Sequence, residues 1–156
     1  MTVNTGVKGT LAKLLATEDL IIEHKNCQTA SFDVKRRVLT LPIWDKASET
    51  VYDLLVSHEV GHALFTPSEW TENQFKCPQS YVNVTEDARI EKLMKRKYAG
   101  LPKTFYRGYA ELDAQDFFQA SDAHKLNLID RINPVSYTHL RAHETEADLV
   151  CRLLLE

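Results

Sequence analysis

Cysteine is scarce in this chain of 156 residues: Cys27, Cys77 and Cys151 stand far apart, and no Cys-x-x-Cys pair occurs. That excludes a disulfide framework and a cysteine-based zinc site, and it suits a reducing, cytoplasmic compartment. No apolar run approaches the roughly 20 residues that span a bilayer. Met1 to Leu20 has no basic stretch leading into an apolar core, so no signal peptide is expected. An excess of one charge is also lacking. Lys and Arg number 19 against 22 Asp and Glu, a net charge of -3, which argues against a nucleic-acid or membrane partner. Internal repeats and low-complexity segments are absent. The length suffices for one domain with a real core and is too short for two comfortable ones.

The last part of the chain reads as something other than natural protein. Val135 to Glu156, VSYTHLRAHETEADLVCRLLLE, resembles the translation of a sequencing-library transposase adapter. VSYTHLRAHET matches one adapter segment and DLVCRLLLE a second in the same frame, separated by an index-length gap. Residues 1–134 are therefore expected to form the folded domain, as the N-terminal part of a longer protein, and 135–156 to be a non-native tail. Its His139 and His143, with Glu144 alongside, imitate a metal site and are read as an accident. The tail also holds Cys151, and its Glu144, Glu146, Asp148 and Glu156 outnumber Arg141 and Arg152. The remainder is thus nearer neutrality.

Along the chain the pattern is α+β. Val7 to Ala16 has the spacing of a short helix. Leu20 to His24, Thr29 to Val34 and Val38 to Leu41 read as strands of a small antiparallel sheet, the last two forming a hairpin about Lys35-Arg36-Arg37. Pro42 is expected just outside the ladder. A central helix is expected from a Ser48 cap to about Phe65, stopped by Pro67. Trp70 and Phe75 are expected to pin the polar loop that follows. A second long helix runs from about Val82 to Tyr98 and ends at Gly100 and Pro102. Two further helical stretches, Tyr106 to Ala120 and Ala123 to Ile132, complete a mostly helical C-terminal part.

Inside the central helix stands Leu55-Val56-Ser57-His58-Glu59-Val60-Gly61-His62-Ala63-Leu64. Histidines at i and i+4 share a helical face, about one turn apart, which suits two imidazoles on one metal ion. Glu59 then projects toward a water held by that metal. The neighbours are apolar or small, so this face is expected to be buried. Two buried histidines and a glutamate are costly unless satisfied, and a zinc ion satisfies them. Gly61 within a helix costs roughly 1 kcal/mol relative to Ala, which close approach of another element would explain.

A catalytic zinc needs a third protein ligand. A third histidine downstream is excluded, because Ala63-Leu64-Phe65-Thr66-Pro67-Ser68 follows His62. The next acidic patch is Thr85-Glu86-Asp87-Ala88-Arg89-Ile90-Glu91. Glu86 is the expected ligand and Asp87 the partner of a histidine N–H. Exchange of those two roles is the main rival, and Glu91 is the third choice. Oxyanion donors are sought among Tyr98, Tyr106, Tyr109, Arg107 and His124.

This arrangement resembles the gluzincin class of zinc metallopeptidases, in which His-Glu-x-x-His on one helix is completed by a Glu from a later helix. More closely, HEVGHALFTP followed by NVTEDARIEKLMKRKYAG is similar to metallopeptidases of tailed phages that precede a von Willebrand factor A-type region. The likeness spans about Gly9 to Phe118. It implies a zincin-like fold with the sheet packed on the metal-binding helix. It also implies His58 and His62 as ligands, Glu59 as base, an acidic third ligand, and a peptide or protein substrate laid along an edge strand. If the chain is phage-encoded, the compartment is the host cytoplasm. The chain lacks the Glu-x-x-x-Asp pairing usual in gluzincins, since Ile90 stands four residues after Glu86. The competing expectation is an inactive zincin-fold module that binds or assembles.

Overall fold

The computed structural model describes residues 5–17, 20–43, 48–70 and 75–115. The expected helix at 123–132, residues 116–120 of the one before it, His124 and the 135–156 tail lie outside them. In chain order the elements are α1 (Thr5–Ala16), β1 (Ile21–Lys25), β2 (Ser31–Asp33), β3 (Val38–Pro42), α2 (Glu49–Phe65), α3 (Gln79–Lys97) and α4 (Leu101–Ala114). The α+β expectation holds.

The sheet is mixed, not antiparallel as its sequence suggested. Its order is β1-β3-β2. β2 and β3 form the expected antiparallel hairpin, with Phe32 opposite Leu39, whereas β1 runs parallel to β3, with Ile22 opposite Leu39. Burial explains the order. In β3, Val38, Leu39 and Leu41 are buried, so it takes the middle, while the more polar β1 and β2 take the edges. The segment between β1 and β2 need only skip one strand, roughly 10 Å, which a few extended residues cover. Pro42 also departs from expectation. It closes β3 in register with Lys25, and its carbonyl accepts a hydrogen bond from Tyr52 Oη at 2.6 Å. As the last residue of its strand it forfeits no ladder bond.

The hairpin turn is built by Asp33, whose Oδ1 accepts from the N–H groups of Lys35 and Arg36. Arg37 follows with φ 56°, and its Nη2 donates to Ala63 O at 2.7 Å. A cation is thereby set on the C-terminal carbonyls of α2.

α2 is the hub. It touches the other three helices as well as β2 and β3, and its buried residues lie on every side, as a helix enclosed by neighbours must have. Ser48 caps it as expected, accepting from Val51 N, and donates to Glu111 Oε2 at 2.7 Å, tying α4 to its start. Lys8 of α1 binds Asp53 at 2.6 Å and also Glu49. Trp70 and Phe75 meet edge to face, their ring centroids 5.1 Å apart.

α3 and α4 both begin earlier than expected. Pro102, read as a stop, instead occupies the first turn of α4, where its missing N–H has no helical partner to lose. Among the described residues no helix is long and apolar enough to cross a membrane.

Two glycines admit the flanking helices. A Cβ at Gly61 would lie 3.0 Å from Ile90 Cδ1 and 3.1 Å from Met94 Cγ. At Gly108 it would lie 2.8 Å from Leu54 Cβ, an atom fixed to the backbone. Gly108→Ala is therefore expected to destabilise the fold by about 1–3 kcal/mol through overpacking, despite the better helix propensity of Ala. Urea denaturation measures it, and an unchanged midpoint would mean that α4 can slide. Gly61→Ala meets its closest contacts at outer side-chain atoms, with Ile90 Cβ no nearer than 3.4 Å, and should cost less.

Candidate metal centre

α2 and α3 meet at Gly61, and that contact brings the acids of α3 over the histidines of α2. His58 and His62 stand as the helical repeat requires, ring centroids 5.1 Å apart. Both direct Nε2 at one oxygen. Asp87 Oδ1 lies 3.2 Å from His62 Nε2 and 3.6 Å from His58 Nε2. All three donor atoms fall within 4.8 Å of one another.

The other ring nitrogens are held from behind. His58 Nδ1 lies 3.0 Å from Glu91 Oε1, which also accepts a hydrogen bond from Tyr109 Oη. His62 Nδ1 lies 2.9 Å from Thr66 Oγ1, and that hydroxyl donates to Glu86 Oε1 at 2.6 Å. Glu86 is gripped further by Arg89, through Nε at 2.6 Å and Nη2 at 2.7 Å.

The acid beside the histidines is thus Asp87, not Glu86, the sequence's first choice. The rival assignment matches this geometry. Glu86 faces the same cleft but is engaged by Arg89 and Thr66. Glu91 supports His58. The signal that would have found this pair is Asp87-x-x-x-Glu91, the four-residue spacing of Glu-x-x-x-Asp with the acids exchanged. The four oxyanion candidates within the described residues do not reach the cleft, and His124 lies outside those residues. Tyr109 is buried behind Glu91, Tyr98 donates to Leu15 O, and Tyr106 and Arg107 are exposed on α4; none of them lines the cleft.

Glu59 is buried yet lines an open cleft of about 1000 Å³. Burial raises its pKa above the ordinary carboxylate value, with His58 and His62 pulling the other way. One wall of the cleft is the stretch 29–35, including β2, whose outer side carries no strand among the described residues. Pro67, Trp70, Gln79, Val82 and Asn83 also line the cleft.

Comparison of the chain with known protein families, with curated proteins and with solved structures yields no match. Donors around a tetrahedral zinc, each about 2.0–2.1 Å from it, lie roughly 3.3 Å apart. The separations of 3.2 and 3.6 Å from Asp87 Oδ1 bracket that value and the remaining one is within 4.8 Å, so the three residues could hold the ion.

Protonation supplies the other half. Burial alone would lower the pKa of His58, but the carboxylates of Asp87 and Glu91 hold it well above 6.5. Burial would likewise raise Asp87, but both histidines hold it at about 2. In the metal-free protein, the stabilisation from His58 is present below its unfolded value and lost as pH rises through the raised folded value. That from Asp87 is present above its unfolded value and lost as pH falls toward about 2. A metal must displace the His58 proton. Zinc uptake at pH 7 is therefore expected to release protons and to weaken as pH falls. Calorimetry in buffers of different ionisation enthalpy reads this, and a buffer-independent heat would contradict it. Asp87→Ala should weaken zinc binding at least a hundredfold, and Glu86→Ala by about 10–100-fold. Chelator competition giving the reverse order would restore Glu86 as ligand.

Proposed function

We propose that the protein is a zinc-dependent peptidase in which His58, His62 and Asp87 hold the metal and Glu59 is the general base. The convergence of two imidazoles and one carboxylate within 4.8 Å of one another, beside a buried glutamate in an open cleft, carries this reading. Zinc in such a site supplies Lewis acidity and brings the pKa of a water down to about 7.

The chain's own residues would do the rest. Glu59, with its raised pKa, is suited to take a proton from the attacking water. As the water oxygen bonds to the carbonyl carbon and the C–N bond breaks, the same carboxyl returns that proton to the departing nitrogen. The edge of β2, unpaired among the described residues, can align an extended peptide by backbone hydrogen bonds, and the cleft beside it has room for side chains. For the developing oxyanion, the cleft lining includes the N–H-bearing side chains of Trp70, Gln79 and Asn83, of which Gln79 Nε2 donates to Asn83 Oδ1 at 2.9 Å.

Glu59→Gln separates binding from chemistry. It should leave zinc stoichiometry intact and slow cleavage of a quenched fluorescent peptide library by about 10²–10⁴-fold. Wild-type protein that takes up no stoichiometric zinc would overturn the metal reading. A Glu59→Gln protein as fast as wild type would remove Glu59 from the reaction.

A further inference from the structure

We infer that Thr66, Glu86 and Arg89 form a positioning relay that fixes the ring proton of His62 on Nδ1 and so presents Nε2 to the cleft as an electron-pair donor. The inference rests on the zinc reading for its consequence in metal binding, but the ring-proton assignment stands apart from it.

The direction of each hydrogen bond follows from counting protons. Arg89 has only donors, and its fork engages both oxygens of Glu86 at 2.6 and 2.7 Å. Glu86 is a buried carboxylate paired with that guanidinium and can only accept. Its contact with Thr66 Oγ1, at 2.6 Å, therefore consumes the single hydroxyl proton of the threonine. What Thr66 Oγ1 has left is lone pairs. The 2.9 Å contact from His62 Nδ1 can then form only with the proton on Nδ1. On a neutral His62 the lone pair then falls on Nε2, 3.2 Å from Asp87 Oδ1, where the carboxylate competes for the ring proton and a cation between the two removes the conflict.

The relay is also pinned to the backbone. Thr66 is the C-cap of α2, and its N–H donates to His62 O at 3.0 Å. Arg89 Nη2 donates to Phe65 O at 2.7 Å. The end of the helix, its cap and the imidazole are thus fixed together, so His62 can neither rotate nor change tautomer without breaking a bond in this chain of contacts. Glu91 does the same for His58 directly, the Tyr109 hydroxyl donating to it from the other side. Glu86 therefore serves His62 at one remove. Arg89 further holds the longer carboxylate away from the place that Asp87 occupies.

Thr66→Val, which keeps the shape of the side chain and removes the hydroxyl, tests the relay against Thr66→Ser, which keeps the hydroxyl. Long-range proton–nitrogen NMR on the metal-free protein, at a pH where His62 is neutral, reads the tautomer. Wild type and Thr66→Ser should show the Nδ1–H form, and Thr66→Val a shift toward Nε2–H. Zinc affinity, by chelator competition, should fall about 10–100-fold in Thr66→Val and stay within about threefold in Thr66→Ser. An Nε2–H tautomer in wild type, or a Thr66→Val protein matching wild type in both measurements, overturns the relay. Wild type that binds no zinc but shows the Nδ1–H form would refute the metal reading and uphold the relay.

Discussion

The approach of α3 to α2 at Gly61 is the contact on which the centre depends. With no side chain at 61, Ile90 and Met94 seat directly on the α2 backbone, both fully buried. Asp87 and Glu91 lie on the same side of α3, one turn apart, so seating Ile90 and Met94 places both acids over His58. A Cβ there would press the two helices apart by a few tenths of an ångström. That is small for a core, but comparable with the tolerance of ligand geometry. The apolar packing and the polar site are one arrangement, in which the glycine trades helix propensity for proximity.

Electrostatics makes that proximity demanding. Glu59, Glu86 and Glu91 are all buried, and Asp87 is only partly exposed. Carboxylates are seldom buried unless paired. Glu86 has Arg89, and Glu91 has Tyr109, His58 and, at 3.7 Å, Lys95. Asp87 faces the two imidazoles, and Glu59 stands beside the same rings. Neutral imidazoles would set two lone pairs against a carboxylate oxygen. The centre therefore calls for a cation, and either protons or a metal meets the need. Against the opposing pull of burial, the facing carboxylates raise the pKa of His58 and the imidazoles depress that of Asp87, so protons are held there. A divalent metal would satisfy all three donors at once, with the outward-facing Nδ1 atoms already held.

Much of this was legible in the sequence, for identifiable reasons. The spacing of His58 and His62, the cap at Ser48, the hairpin about Lys35-Arg36-Arg37 and the close approach at Gly61 are local or nearly local features. Each has a short-range cause that a single chain displays. The pairing of β1 with β3 was not legible, because strand order depends on which strand loses most by exposure, a comparison across the whole sheet. The start of α4 was missed because Pro102 reads equally as the end of one helix and the first turn of the next. The helix end at Lys97 and the cap at Tyr98 leave no room for the first meaning.

The exchange of Glu86 and Asp87 has a different cause. Neighbours on a helix point about 100° apart, and an apolar stripe of ordinary width leaves room for either to face the partner helix. Reach decides between them. With α3 seated at Gly61, the shorter aspartate meets both Nε2 atoms. The extra methylene is useful elsewhere. Glu91 extends to the Nδ1 of His58, and Glu86 turns aside to Arg89 and Thr66. The side-chain length wanted at each position follows from the interhelical distance, and that distance follows from Gly61. A reading that fixes the helix spacing first and assigns the acids second would place Asp87 beside the histidines.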